Sequence, residues 1–439
     1  MEKFIKEYID FISYNKTERE CVSYFVEKAK EKGFIDIKQA IKENKTLKPG
    51  DKVYSVNMDK NIMLMVVGEQ DIENGVNIIG SHIDSPRLDL KATPVFEQKG
   101  ICYFDTHYYG GIKKYQWVAR PLALHGVVCK KDGTKVNVNI GENENDPVFC
   151  ISDLLPHLDR TDKYEVTYNG EILDIIAGMD ELKDADKEKV KANVLSILKE
   201  LGIEEDDLIS AEIEAVPCGK AREMGLDRSM ILGYGQDDRV CAFASAIAIM
   251  ELQTPQKTAV CILADKEEIG SQGPTGMNSK FMENQIAELY ALTGGYSELK
   301  LRRCLANSSM LSADVSAGYD PSYASKANYP TEAKMNKGVS INKYTGARGK
   351  SGANDANPEF IAKIRNILDN NDVKYQATEM GKVDQGGGGT IAHFVAEYDM
   401  EVLDAGTPVM SMHAPWEITS KKDVYETYKC YKAYYKDYK

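Results

Sequence analysis

Five short segments of the sequence carry acids or histidines where a strand is expected to end or a helix to begin. They are His82 with Asp84, Asp237-Asp238, Glu267-Glu268, Asp314 and His413. Two imidazoles with several carboxylates form the donor set for zinc or a similar divalent ion. No local three-ligand motif such as His-Glu-x-x-His is present, so a site made from these pieces would be assembled across the whole fold. Each piece alone also has an ordinary reading. His82 could be a hydrogen-bonded strand-end histidine, although Asp84 could accept the ring's second N–H, the usual partner of a ligating histidine. Asp237-Asp238 reads as a helix N-cap, Asp314 as a strand-ending turn residue and His413 as a loop cap. Glu267-Glu268 is different, because two carboxylates beyond the apolar run 259–263 must reach water or find a cation. Adjacent acids with divided labour suit metal hydrolysis: one binds the ion while the other takes the proton from its water.

The elements that must position these residues alternate between helix and strand. Ile5, Tyr8, Ile9 and Ile12 share one helical face, and a second helix starts at Thr17 with Glu20 completing a capping box. Apolar runs at 61–67 and 76–83 read as buried strands, the second ending in Gly-Ser-His-Ile-Asp-Ser-Pro. Between about 93 and 229 short β-prone runs and turns take over, with one charged helical piece at about 184–201. After Gly235 an apolar helix at 239–252, a strand at 258–263, further strands at 310–313, 339–341 and 400–403, and helices at 358–368, 390–398 and 422–438 resume the alternation. The expected class is α/β, a mixed sheet covered by helices on both faces. The expected division is a catalytic domain in two parts, 1–92 and 230–439, interrupted by a β-rich insertion at 93–229.

Bulk properties narrow the function classes. A chain of 439 residues is long enough for two domains, and 43% hydrophobic with 28% charged residues is an ordinary globular composition. A net charge of −13 argues against a nucleic-acid partner. No run approaches a membrane span, and the first residues lack a signal-peptide core, so no membrane partner and a cytoplasmic location are expected. Nine scattered cysteines without a Cys-x-x-Cys pair indicate neither a disulfide framework nor a cysteine zinc site. Gly349-Lys350-Ser351 lacks the rest of a phosphate loop, Gly233-Tyr234-Gly235 lacks the third glycine of a dinucleotide fingerprint, and no Gly-x-Ser-x-Gly elbow occurs. Metal chemistry, or binding without catalysis, is what remains.

Taken together and in order, the five segments resemble the aspartyl aminopeptidase family of dinuclear zinc metallo-aminopeptidases. The family's ligand segments read Gly-Ser-His-x-Asp-Ser-Pro, Asp-Asp/Asn, Glu-Glu-x-Gly-Ser, Ser-Ala-Asp and Met-His, matched here at 80–86, Asp237-Asp238, 267–271, 312–314 and Met412-His413. The likeness spans nearly the whole chain. It implies a zinc exopeptidase-like fold whose inserted β-rich domain serves dimerisation, within a homo-oligomer that reaches a dodecamer in the family. It also implies two divalent ions per subunit, Zn2+ first and Mn2+ or Co2+ as alternatives. His82 and Asp314 would hold one ion, Glu268 and His413 the other, with Asp237 bridging. Glu267 would be the general base and Asp84 would orient His82. His157, in Pro156-His157-Leu158, would reach a neighbouring subunit's site and steady the oxyanion. The substrates implied are peptides with a free N-terminus.

One stretch departs from the family. Members that prefer acidic N-terminal residues carry histidines shortly after Ser-Ala-Asp, where this sequence has Ala317 and Asp320. An aspartate near the pocket for the N-terminal side chain would repel an acidic substrate, while Lys343 or Lys382 could restore the preference. Two competing readings have discriminating features. A non-catalytic peptide-binding or assembly protein on this scaffold would show a lost ligand, and none is lost. A deacylase or carboxypeptidase would need a cation for a substrate carboxylate and would accept a blocked amino end.

Overall fold

The computed structural model describes residues 1–155, 157–158 and 169–439. The described chain divides into two compact units, one of Met1–Asp84, Ala221–Met412 and Glu417–Lys439, the other of Ser85–Lys220 and His413–Trp416. These limits fall several residues before the expected 92/93 and 229/230 boundaries. The strand Arg87–Gln98, which opens the second unit, already pairs with Ile101–Tyr109 and with Ala211–Pro217.

The first unit is a mixed α/β body built on nine strands. Their order across the sheet is Ile35–Asp36, Lys52–Asn57, Asn61–Val66, Ala259–Ala264, Asn77–His82, Ser309–Ser312, Glu401–Gly406, Val339–Asn342 and Tyr375–Thr378. The middle strands are parallel and fully buried, which is why they read in the sequence as unbroken apolar runs. Successive side chains of a strand point to opposite faces. Accordingly Ile62, Leu64 and Val66 join one apolar cluster and Met63, Met65 and Val67 the other. The first cluster includes residues of the helices Glu2–Tyr14, Glu18–Glu31, Gln236–Met250, Pro358–Asn370 and Lys421–Asp437. The second includes residues of Ile37–Lys42, Phe281–Thr293, Glu298–Ala306 and Ala392–Ala396. A separate five-stranded sheet orders Arg222–Met224, Met230–Gly233, Glu417–Ser420, Pro408–Met410 and Ser316–Ala317.

Local signals set several of these elements. Thr17 and Glu20 close the capping box at the start of Glu18–Glu31. In Gln236–Met250 every residue except Ile247 is buried, as expected for a helix apolar all round. The hairpin strand Lys52–Asn57 was not anticipated, and the helix expected at 390–398 is only Ala392–Ala396.

Among the described residues the second unit is a six-stranded antiparallel sheet in the order Lys135–Ile140, Leu122–Cys129, Ala211–Pro217, Arg87–Gln98, Ile101–Tyr109 and Ile175–Gly178. The charged piece expected at 184–201 is helical only over Lys189–Glu200. Its start is fixed from a distance: the Glu97 carboxylate accepts the backbone N–H of Val190 at 2.9 Å and of Lys191 at 3.0 Å. A tertiary cap of this kind leaves no mark near the helix in the sequence.

Candidate metal centre

The register of three parallel central strands gathers several of the candidate residues at the strands' C-terminal ends. Ala264 lies beside His82, and Ser312 beside Gly80. The chain beyond Ala264 therefore delivers Glu267 and Glu268, and the chain beyond Ser312 delivers Asp314, next to His82. Two glycines permit this packing. A β-carbon on Gly80 would sit 2.4 Å from Met310 Cε, and one on Gly406 would sit 1.7 Å from the Asp314 carbonyl oxygen.

His82 is buried, and its two ring nitrogens face different partners. Nδ1 lies 3.1 Å from the Asp84 carbonyl oxygen and 3.3 Å from Asp84 Oδ1. Nε2 lies 3.2 Å from Asp237 Oδ1 and 3.8 Å from Glu267 Oε2. The Asp84 carbonyl oxygen can only accept, so Nδ1 donates to it, and Nε2 is the nitrogen turned toward Asp237 and Glu267. Donor atoms of His82, Asp237 and Asp314 all lie within 4.8 Å of one another.

Asp237-Asp238 is not an ordinary N-cap. Gly235 is the cap residue, and Asp237 (φ −79°, ψ 108°) and Asp238 (φ −113°, ψ 24°) depart from helical geometry, joined by a cis peptide bond. Both side chains turn to His82 instead: Asp238 Oδ2 accepts its backbone N–H at 3.3 Å, and Asp237 faces its ring. The Asp237 N–H is in turn held by Glu417 Oε2 at 3.0 Å.

Asp84 reaches further than its proposed pairing with His82. Its Oδ1 accepts the Glu267 N–H and its Oδ2 the Glu268 N–H, each at 3.2 Å. One buried carboxylate thus grips the backbone of both glutamates through the turn Glu267–Ile269. Ligand oxygens of Glu268 and Asp237 lie within 4.8 Å of each other.

The electrostatics fit a cation. Burial, then the neighbouring carboxylates of Glu267 and Asp237, push the Asp314 carboxyl well above its usual range. Burial and the charge of Asp314 do the same to Asp238. Burial alone would lower the His82 imidazole, yet its contacts with Asp237 and Asp84 hold it well above the usual range. Imidazole nitrogen with carboxylate oxygens is a donor set suited to zinc.

The remaining candidates are spread differently. His413 belongs by packing to the second unit, where its Nδ1 is 2.9 Å from the Gly111 carbonyl oxygen. His157 is exposed in the same unit, and Pro156 of its segment lies outside the described residues. Asp320 caps its own turn, accepting the Ser322 N–H at 2.8 Å, and Lys382 donates to the Ser325 carbonyl at 2.8 Å. Sequence reasoning missed two supports, Asp238 on the His82 backbone and Glu417 on that of Asp237. Their signal was proximity alone, since each stands next to or near a candidate ligand.

Comparison with known proteins agrees with this chemistry. Residues 11–435 match the family described as aminopeptidase I zinc metalloprotease (M18). An M18 family aminopeptidase 1 of Clostridium acetobutylicum is 53% identical over 430 residues, covering 97% of this chain and 92% of the relative. The crystal structure of an M18 aminopeptidase from Thermotoga maritima is similar with a TM-score of 0.95 at 44% identity, covering 99% of this chain and 96% of that one. A dodecamer of S. cerevisiae mApe1 shares the fold at 23% identity and a TM-score of 0.79, covering 98% of this chain and 95% of that one.

Proposed function

This chain belongs to the M18 family of zinc metallo-aminopeptidases, and from that premise we propose a two-metal mechanism in which Glu267 is the general base. The observation that carries the reading is the convergence of His82, Asp237 and Asp314 with the Glu267 carboxylate 3.8 Å from the same imidazole nitrogen. His82 and Asp314 would hold one divalent ion, Glu268 and His413 would hold a second, and Asp237 would serve both. Zinc is the first assignment for each, with Mn2+ or Co2+ as substitutes. When bound, such a pair lowers the pKa of water and offsets charge on the scissile carbonyl oxygen.

The chain's own residues divide the rest of the work. Asp84 fixes the tautomer of His82 and the backbone of both glutamates. Glu267 takes the proton from the attacking water and returns it to the leaving amine. His157 is assigned to the oxyanion of a neighbouring subunit's site. Peptides with a free N-terminus are the substrates, and the substrate panel below reads whether acidic or neutral N-terminal side chains are preferred.

The architecture is read in the same way. The large sheet with its helix-bearing apolar clusters is the exopeptidase scaffold, and the β-rich unit is an insertion that makes subunit contacts. A homo-oligomer like the S. cerevisiae dodecamer follows from that role. Nine free thiols suit a reducing, cytoplasmic compartment. Among the described residues no helix is long and apolar enough to cross a membrane.

The test is Glu267→Gln. It should retain its metal while losing on the order of 10²–10⁴ in kcat, and a metal-loaded variant with full activity refutes the base assignment. A panel of aminoacyl substrates, run with zinc, manganese and cobalt, reads the side-chain preference and the working metal.

A further inference from the structure

The turn that carries Glu267 and Glu268 is short of regular support. It is flanked by Lys266 (φ 68°), Gly270 (φ 93°) and Ser271 (φ 58°), all in the left-handed region. Its internal backbone bonds are three: Ile269 N–H to the Lys266 carbonyl at 3.3 Å, Gly270 N–H to the Glu267 carbonyl at 2.9 Å and Ser271 N–H to the Lys266 carbonyl at 2.7 Å. Its geometry must therefore be imposed from outside. Asp84 grips the middle. The ends are closed by a second, buried group of residues that the mechanism above does not use.

We propose that Thr275, acting through Asp265, is a positioning residue that holds the Glu267-Glu268 turn in its working geometry, with Lys60 as the counter-charge of the link. The Thr275 hydroxyl donates to Asp265 Oδ2 at 2.6 Å, and the Asp265 N–H donates to the Thr275 carbonyl at 3.2 Å. The two residues thus close the loop at its neck, just beyond the strand Ala259–Ala264. Asn61 Nδ2 donates to the same Thr275 carbonyl at 2.8 Å, tying the neck to the edge of the neighbouring strand. Lys60 Nζ lies 3.7 Å from Asp265 Oδ2 and 2.7 Å from Glu18 Oε1. Lys60, Glu18, Asp265 and Thr275 are all buried.

Burying the Glu18 and Asp265 carboxylates around Lys60, with the partly exposed Lys266 Nζ 3.5 Å from Asp265 Oδ2, is costly, and a loop closure alone does not call for it. It does fix the neck rigidly, because neither end can move without exposing an unsatisfied charge. Glu267 lies two residues beyond Asp265, so movement at the neck is transmitted directly to the base. A displacement of roughly 1 Å in a reacting group costs up to about 10²-fold in rate. This inference rests on the assignment of Glu267 as base and Glu268 as ligand.

Thr275→Val keeps the shape and removes the hydroxyl, while Thr275→Ser keeps the hydroxyl. Assayed as the full-length, metal-saturated enzyme, T275V should lose about tenfold or more in kcat. Its KM and metal stoichiometry should stay near wild type, and T275S should recover most of the rate. A folded, metal-loaded T275V with wild-type kcat overturns the proposal, as does a T275S as slow as T275V. Should T275V not fold, Asn61→Ser reads the same neck through the Thr275 carbonyl, and an unchanged kcat there overturns it equally. E267Q in the same assay separates the two readings. Activity in E267Q sinks the base assignment, whereas an inactive E267Q beside a fully active T275V sinks the positioning role alone.

Discussion

Replacing Asp84 with Asn tests how far one buried carboxylate organises the centre. The side chain's two oxygens each accept one backbone N–H, from Glu267 and from Glu268, both at 3.2 Å. An amide keeps one acceptor and turns an NH2 group toward the other N–H, donor against donor. A hydrogen bond to a charged group contributes about 1.5–3 kcal/mol, and 3.2 Å places these two toward the weaker end. The contact of the Asp84 main-chain carbonyl with His82 Nδ1 survives the change. The expected loss is thus about 1.5–2 kcal/mol, or roughly 10–30-fold, within the range seen when partners of metal ligands are altered. It should appear in kcat/KM at saturating metal and in the metal affinity measured by chelator competition. A D84N protein within twofold of wild type in both would falsify the claim that Asp84 organises the two glutamates.

Two further outcomes concern stability. Stripping the metal leaves Asp237, Asp238, Asp314 and Glu267 crowded around one imidazole, so chelation should lower the thermal midpoint. Restoring zinc at about a thousandfold above its Kd should return about 4 kcal/mol, and a midpoint indifferent to both treatments speaks against a metal bound in the fold. Burial pushes the Asp423 carboxyl up to about 6, even though it accepts the Gly338 N–H at 2.7 Å. Because that value lies above the ordinary one, the ionised form costs stability above pH 6, and the cost fades as the pH falls toward 4. Relative to Asp423→Asn, the wild type should gain roughly 2 kcal/mol between pH 7 and pH 4; parallel urea midpoints across that range would contradict it.

The parts of this fold legible in the sequence are those where one local pattern decides. The strands expected at 61–67 and 258–263 occur as Asn61–Val66 and Ala259–Ala264 because burial on both faces forces unbroken apolar runs. The cap at Thr17 and Glu20 is equally local. What escaped is set by distant partners. Lys189–Glu200 starts where Glu97 caps it, well after the charged run begins. Asp237-Asp238 looked like a helix cap because no local pattern shows that His82 captures both side chains. The types of the candidate residues were readable, but their supports were not. Glu417 and Thr275 are an ordinary acid and an ordinary hydroxyl until the sheet brings them to Asp237 and Asp265.

The order of the three central strands bears on how such a protein is made. Asn77–His82 lies between Ala259–Ala264 and Ser309–Ser312, so apart from Asp84 His82 receives its acidic neighbours from chain synthesised long after it. A nascent chain that has emerged only as far as Ala264 carries His82 and Asp237 but neither glutamate of the turn nor Asp314. Pairings of such sequence separation form late and slowly. With the ligands proposed above, ion uptake is accordingly an event of the finished chain. On the ligand set proposed above, a cell's metal supply meets folded donors already in place, not a growing polypeptide gathering them one at a time.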